Sequence, residues 1–267
     1  RRRHTRYISV TGVQTCALPI FERVRLGRSG VRMTRLGFGA APIGGLYAPV
    51  AEADAVATVR HAWSIGIRAF DVAPLYGYGL AEERVGIALR DLPRAELTLS
   101  TKVGRRIVPR DAIAPGADID RQAYGDREDF FYRGVRDVRP VWDYTGDGIR
   151  RSLEESLARL GMDRVDVVYV HDPEAHLEQA LGEAWPALER LRAEGTVGAI
   201  GFGVDYTAPL AWLLERSDPD VVLVAGRYTL LDQSALDAVL PSCEAKGVSV
   251  VIGGVMNSGL QIGRAHV

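Results

Sequence analysis

The chain has 267 residues, 47% of them apolar and 25% charged, with a formal net charge of −1 and two cysteines. Its length and apolar content suit one large globular domain, and its charge balance offers no basic footprint for nucleic acid or an acidic membrane surface. No apolar run reaches the roughly 18 residues that span a bilayer, and the cysteines supply neither a disulfide framework nor a cysteine zinc site, so a reducing, cytoplasmic setting is expected.

Residues 1–20 hold four arginines and no acid, begin without Met, and show no helical or strand period. They read as a non-native or disordered leader, with an Arg-rich targeting peptide as the alternative. Residues 262–267 read as a non-native tail. The two ends carry five arginines and no acid, which leaves 28 basic against 34 acidic side chains over 21–261, a net −6.

Between the ends, strand-like and helix-like runs alternate. Residues 36–39 read as a first strand, followed by a helix over 51–64 that stops near Gly66. The second strand, 67–71, leads to a helix over 81–89 with Glu82 and Glu83 complementing the dipole of its first turn. Residues 97–102 are the third strand. An amphipathic helix over 148–160 sets Ile149, Leu153, Leu157 and Leu160 near one face, and Gly161 ends it. The fourth strand is 165–171, with a helix over 177–193. A fifth strand over 199–203, a helix over 208–216, a sixth strand over 221–225, a helix over 234–246 and a seventh strand over 248–255 complete the pattern. The alternation implies parallel pairing with right-handed crossovers. A doubly wound open sheet and a barrel both satisfy it.

Seven strands are counted, and a closed barrel needs an eighth to remove its edges. The chain as given is therefore expected to be unstable or to aggregate. A soluble monomer that melts cooperatively would refute this. About 45 residues separate Lys102 from Gly148, long for a connection without structure of its own. They include Tyr124, Phe130, Phe131, Tyr132, Trp142 and Tyr144. This interval is expected to lie over a pocket as a lid with aromatic faces; the alternative is a loop packed on the outside of the barrel.

Three apolar runs end in ionisable residues. The second strand ends in Asp71, with Tyr76 just beyond; the third ends in Lys102; the fourth ends in His171. Buried parallel strands deliver polar side chains to one rim in this manner. Taken singly, each has a plainer reading. Asp71 could cap a turn, Tyr76 and Tyr78 could be loop aromatics, Lys102 a solvated strand end and His171 a satisfied rim histidine. Asp172-Pro173 is an ordinary turn signal.

Together these segments carry a resemblance. FDVAPLYGYGLAEERVG over 70–86, STKVGR over 100–105 and VVYVHDPE over 167–174 resemble, in order, the strand-2 signature, strand-3 lysine motif and strand-4 histidine motif of the aldo-keto reductase superfamily. The resemblance runs from about residue 22 to residue 261. VWDYTGDGIRRSLEESLARLG and AGRYTLLDQSAL are similar to the branch that oxidises fucose, galactose or arabinose at carbon 1. The resemblance implies an α/β fold of the (β/α)8 barrel type over 21–261, incomplete here through loss of strand 8 and the C-terminal helix. It implies NAD- or NADP-linked hydride transfer to or from C1 of an aldose or a related aldehyde, without a metal. The partner would be a small-molecule sugar or aldehyde, and the protein a monomer or homodimer.

By the same resemblance Tyr76 is the general acid/base, Lys102 its activator, Asp71 the partner of the lysine and His171 the group that orients the substrate. A phenol with an ordinary pKa of about 10 is a poor acid or base at neutral pH, and a nearby ammonium is expected to lower it. Tyr78 does not match the family's tyrosine position. No Rossmann fingerprint is present, since Gly37-x-Gly39 and Gly201-x-Gly203 lack the third glycine. Cofactor contacts are implied for Gly39 and Ala40 beside strand 1 and for Asn257, Ser258, Gly259 and Leu260 near the pyrophosphate. Asp205 stands where many relatives carry an Asn for the carboxamide, and Ala225 where they carry a Gln; ordinary turn chemistry explains the glycines equally well. Three other readings stay open: a non-catalytic nicotinamide-binding regulatory subunit, a Schiff-base aldolase using Lys102, and a non-functional truncated fragment.

Overall fold

The computed structural model describes residues 21–120 and 132–260. The leader 1–20, the tail 262–267, and Tyr124, Phe130 and Phe131 lie outside the described residues. The chain opens with an antiparallel hairpin, β1 (Arg23–Arg25) against β2 (Arg32–Thr34). Then follow β3 (Gly37–Gly39), α1 (Glu52–Ser64), β4 (Ala69–Asp71), α2 (Leu80–Leu89) and β5 (Thr98–Val103). A second antiparallel hairpin, β6 (Arg105–Pro109) with β7 (Val138–Trp142), precedes α3 (Gly146–Leu160) and β8 (Val165–His171). Next, α4 (Leu177–Gln179) continues through the π-turn Ala180–Ala184 into α5 (Trp185–Ala193). The chain ends on β9 (Val197–Val204), α6 (Thr207–Arg216), β10 (Val221–Ala225), α7 (Val239–Lys246) and β11 (Ser249–Gly253).

The seven strands predicted from sequence are β3, β4, β5, β8, β9, β10 and β11. They form one parallel sheet in the order β11-β10-β9-β8-β5-β4-β3. Its two faces bury different partners. Phe70, Leu99, Val168, Ile200, Phe202 and Val222 pack outward with the helices, among them Val59, Val85, Leu153 and Leu188. Ala69, Val167, Tyr169, Ala199, Val221 and Leu223 point the other way and form one cluster. Residues from β4 and β10, far apart in the strand order, share that cluster. Only a sheet curled about a single interior brings them together, so the open-sheet alternative is set aside and the architecture is that of a (β/α)8 barrel.

Two corrections concern the hairpins. The interval after Lys102 reads in the sequence as a loop without structure of its own, yet β6 and β7 pair across it over five residues each. Pro109 and Pro140 within the pair mask the strand signal, because proline cannot donate to a ladder. The β1–β2 hairpin has no counterpart in the sequence reading, since its three-residue strands are too short to show alternation. Leu26 and Met33 from this hairpin close the interior cluster at the end where the strands begin. Gly27 N–H donates to Ser249 Oγ at 2.7 Å and Thr98 Oγ1 donates to Arg32 C=O at 2.7 Å, which ties the hairpin to β11 and β5. The helix expected over 234–246 is divided into a turn, Ser234–Leu236, and α7.

Candidate functional site

At the opposite end the strands finish, and parallel pairing carries their last side chains to one rim. Asp71 ends β4 and pairs in register with Ser100 of β5, whose Oγ donates to Asp71 Oδ1 at 2.7 Å. Lys102, one residue before the end of β5, is 1% exposed. Its ammonium donates to Asp71 Oδ2 at 2.6 Å and to Val72 C=O at 3.0 Å. A buried charge of this kind persists only when paired and hydrogen-bonded. Tyr76 lies on the turn beyond β4. Gly77 holds that turn at φ 65°, and a Cβ there would stand 2.2 Å from Gly44 C=O, so the close approach demands glycine. The Lys102 ammonium lies 4.6 Å from the centre of the Tyr76 ring. His171, the last residue of β8, meets that ring edge-on at 6.0 Å. The structure thus gathers Asp71, Tyr76, Lys102 and His171 in one place.

A second layer surrounds them. The Arg105 guanidinium, 6% exposed, donates from Nε to Asp120 Oδ2 at 2.6 Å and from Nη1 to Asp172 Oδ2 at 2.8 Å. It lies 3.9 Å from the centre of the Trp142 ring. The Tyr144 hydroxyl donates to the carbonyls of His171, at 2.5 Å, and Asp172, at 3.0 Å. Asp172 adopts φ 40°, a left-handed conformation that a non-glycine residue rarely takes. A cavity of about 620 Å³ opens here, lined by Arg105, Trp142, Asp172, Glu174, His176 and Asp205, among others. His176 Nε2 and Asp118 Oδ2, 2.9 Å apart, join the loop after β8 to the segment before β7. The described part of the long interval therefore contributes to the wall of this cavity through Asp118, Asp120 and Trp142. Tyr78 is buried edge-on against Tyr132, whose ring lies 6.5 Å from that of Tyr76.

The electrostatics depart from expectation at Tyr76. Burial, reinforced by Asp71, Asp172 and Asp205, pushes the phenol above its ordinary value, and Arg105 alone among the named neighbours opposes this. The Lys102 ammonium beneath the ring is itself committed to Asp71 and to the Val72 carbonyl. Burial and the charges of Arg105 and Lys102 drive His171 well below its usual value, which keeps the imidazole neutral. Glu174 is raised to about 7 by burial and then by Asp172. Asp205 is raised to about 6 by the same two causes, in that order.

The other positions singled out in the sequence divide. Gly39 and Ala40 end and follow β3; Ala40 N–H donates to Asp71 C=O at 2.9 Å, and no atom stands within 4 Å of where a Gly39 Cβ would lie. Asp205 follows β9 on the cavity wall, its N–H donating to Glu174 Oε1 at 3.1 Å. Ala225 ends β10. Asn257, Ser258 and Gly259 form a separate turn past β11 on the same rim, with φ of 46°, 55° and 93°. Asn257 Oδ1 is buried there without a protein partner among the described residues. Leu260 closes that turn, its N–H donating to Asn257 C=O at 3.2 Å, with the residue 79% exposed. Sequence reasoning overlooked Arg105, Asp120 and Glu174, and took Asp172 for a turn signal. The cue available for Arg105 was its place three residues after Lys102, one strand-end step further along the same rim.

Similarity to known proteins follows the same lines. The chain is 44% identical over 234 residues to a D-threo-aldose 1-dehydrogenase of a Pseudomonas species, across 87% of this chain and 68% of that protein. It is 40% identical over 249 residues to a pyridoxal 4-dehydrogenase of Microbacterium luteolum, across 90% and 72%. The holo form of an aldo-keto reductase from Bacillus halodurans superposes with a TM-score of 0.69 at 26% identity, over 90% of this chain and 68% of that one. Residues 35–266 match the family described as Aldo/keto reductase family. The chain therefore belongs to the aldo/keto reductase family and is an NAD(P)-dependent oxidoreductase.

Proposed function

We propose that this enzyme oxidises an aldose at C1, or reduces a related aldehyde in the reverse direction, with Tyr76 as the group that gives or takes the proton. One observation carries the reading: the Asp71–Lys102 ion pair, closed at 2.6 Å around a buried lysine, lies beneath the Tyr76 ring, which the His171 imidazole meets edge-on. The 44% identity to a D-threo-aldose 1-dehydrogenase supports the sugar. The sequence motifs and a buried thiol, Cys243, support a reducing, cytoplasmic setting.

The nicotinamide cofactor, when bound, supplies the acceptor or donor of the hydride. Features of the rim fit such a group. Asn257 Oδ1 is an orphaned buried acceptor that suits a hydroxyl donor of a nucleotide sugar, while the N–H groups of Asn257 and Gly259 are already taken by the Gly254 and Met256 carbonyls. In this reading the turn lies against the cofactor near its pyrophosphate, with Asn257 Oδ1 as its contact. Gly39 and Ala40 wall the ring, and Asp205 offers a carboxyl to the carboxamide in place of the amide expected there.

The side chains then divide the proton work. A phenol raised by burial stays neutral at pH 7 and is ready to donate during reduction. During oxidation it must first lose its proton, so the rate rises with pH. Asp71 holds the Lys102 side chain in place. A neutral His171 can bind the substrate oxygen without bringing a second cation into the site. A Schiff-base role for Lys102 has less support, since that chemistry needs a free amine and this one is held by Asp71.

Tyr76→Phe tests the assignment. Turnover is expected to disappear while quenching of nicotinamide fluorescence on binding stays near normal. Unchanged turnover would remove Tyr76 from the role. A panel of aldoses and simple aldehydes, run with NAD and with NADP, tests the sugar and the cofactor. If every aldose were inert while another aldehyde reacted, the C1-oxidation reading would be lost.

A further inference from the structure

We propose that Arg105 is a positioning residue of this site: pinned by Asp120 and Trp142, its guanidinium holds the Asp172 carboxylate against His171 and so selects the nitrogen of the imidazole that carries the proton. The inference rests on the reading of Tyr76 and His171 given above.

The geometry converges on one oxygen. Asp172 Oδ2 accepts from Arg105 Nη1 at 2.8 Å and lies 3.4 Å from His171 Nε2. Arg105 cannot drift, because its Nε is bonded to Asp120 at 2.6 Å and its planar face lies 3.9 Å from the Trp142 ring centre. A lysine could not reproduce this arrangement, since only guanidinium offers a fixed fork of donors with a flat face. The Asp172 backbone shows that the position is maintained against a cost. Its φ of 40° is held while Tyr144 hydrogen-bonds the carbonyls on both sides of the peptide link. A strained non-glycine residue of this kind persists only where its surroundings over-determine it. A carboxylate beside Nε2 favours the tautomer protonated there and leaves Nδ1, buried and without a protein partner among the described residues, as the acceptor.

Arg105 also adds one cation to a site crowded with acids. The groups facing Tyr76 are Asp71 of β4, Lys102 of β5, His171 of β8, Asp172 and Asp205 beyond β8 and β9, and the Tyr132 phenol. Against the acids of this group, Arg105 favours ionisation of the phenol.

Two substitutions separate position from charge. Arg105→Lys keeps the charge and loses the fork; Arg105→Met loses both. For Arg105→Lys, kcat is expected to fall about a hundredfold, as misplacement of a catalytic group by about 1 Å costs, with the nicotinamide-nucleotide Kd within about twofold and the alkaline limb unmoved. For Arg105→Met, the alkaline limb of the oxidation rate is expected to move to higher pH as well. Either variant folding normally with wild-type kcat and an unmoved limb would overturn the proposal. Because removing a buried cation between two carboxylates can prevent folding, a third measurement uses the unaltered protein. Long-range proton–nitrogen spectra of His171 are expected to show Nε2 protonated and Nδ1 bare at neutral pH. The reverse tautomer, or a fast-exchanging mixture, overturns the proposal without any variant. The spectra do not depend on turnover, so they still decide the role of Arg105 if Tyr76→Phe proves active and the underlying reading falls.

Discussion

Glu174 has two reasons to keep its proton. It is buried, and Asp172 stands close by with like charge; together they raise it to about 7. An acid whose folded pKa lies above its unfolded value of about 4.3 binds protons more tightly when folded. Its favourable contribution is complete below the unfolded pKa and is lost as the pH rises through about 7. Above that, the folded state carries an ill-solvated charge. Glu174→Gln removes the charge and retains an oxygen for the Asp205 N–H, now accepted at 3.1 Å. The variant is expected to be more stable than the parent, and by about 1–2 kcal/mol more at pH 8 than at pH 5, once partial solvent screening is allowed for. Urea unfolding at the two pH values measures this. Equal gains at both, or a loss at pH 8, would show that the Glu174 carboxylate is stabilised rather than penalised. The same crowding explains why Tyr76 departs from its expectation. An isolated phenol–ammonium pair would favour the phenolate, but here the ammonium is bound by its own carboxylate and three acids face the ring.

Elements were legible where they are long and where both faces of a strand are buried. The run over β8, Val165–His171, matches its predicted bounds because parallel strands read as nearly unbroken apolar stretches. The start of α3 is set by Thr145, whose Oγ1 accepts from Gly148 N–H at 3.0 Å, and its end by Gly161 at φ 63°. What escaped was pairing that leaves no period, as in the two hairpins, and burial that composition does not betray. Glu82 reads in the sequence as a charge complementing the start of α2; it is instead fully buried, accepting from Thr101 Oγ1 at 2.7 Å and Arg159 Nε at 2.6 Å. The helix–helix contact beside it carries a prediction. A Cβ on Gly86 of α2 would lie 2.2 Å from the Leu160 carbonyl oxygen at the end of α3. Alanine normally stabilises a helix interior by about 1 kcal/mol over glycine. Here overpacking costs about 1–3 kcal/mol, and at so short an approach to backbone the larger figure applies. Gly86→Ala should therefore lower stability despite its better propensity, as a chemical-denaturation midpoint would show; a rise in the midpoint would mean that α2 and α3 separate freely.

Over the whole molecule, the two ends of the barrel do different work. The end where strands finish gathers the ionisable groups, and they were visible in the sequence because Asp71, Lys102 and His171 each follow an apolar run, with Tyr76 on the turn just beyond the first. Their supporting layer was not visible: Asp120 and Arg105 are brought together by the β6–β7 pairing, which leaves no trace in local sequence. The end where strands begin is closed by the N-terminal hairpin. Leu26, 2% exposed, packs with Met33 into the interior cluster of Ala69, Val167, Tyr169 and Val221. In barrels of this kind residues at that end serve stability and those at the far rim serve chemistry. Leu26→Ala removes buried methyl groups and leaves a cavity, which costs about 2–4 kcal/mol. The nicotinamide-nucleotide Kd should stay within about twofold at temperatures where the protein is folded, since the rim strands are held by parallel ladders independent of the hairpin. Thermal melts paired with fluorescence quenching test both halves. A normal melt would show that the plug adds little to the interior. A large loss of nucleotide affinity in the folded variant would show that the two ends are coupled and do not divide stability from chemistry.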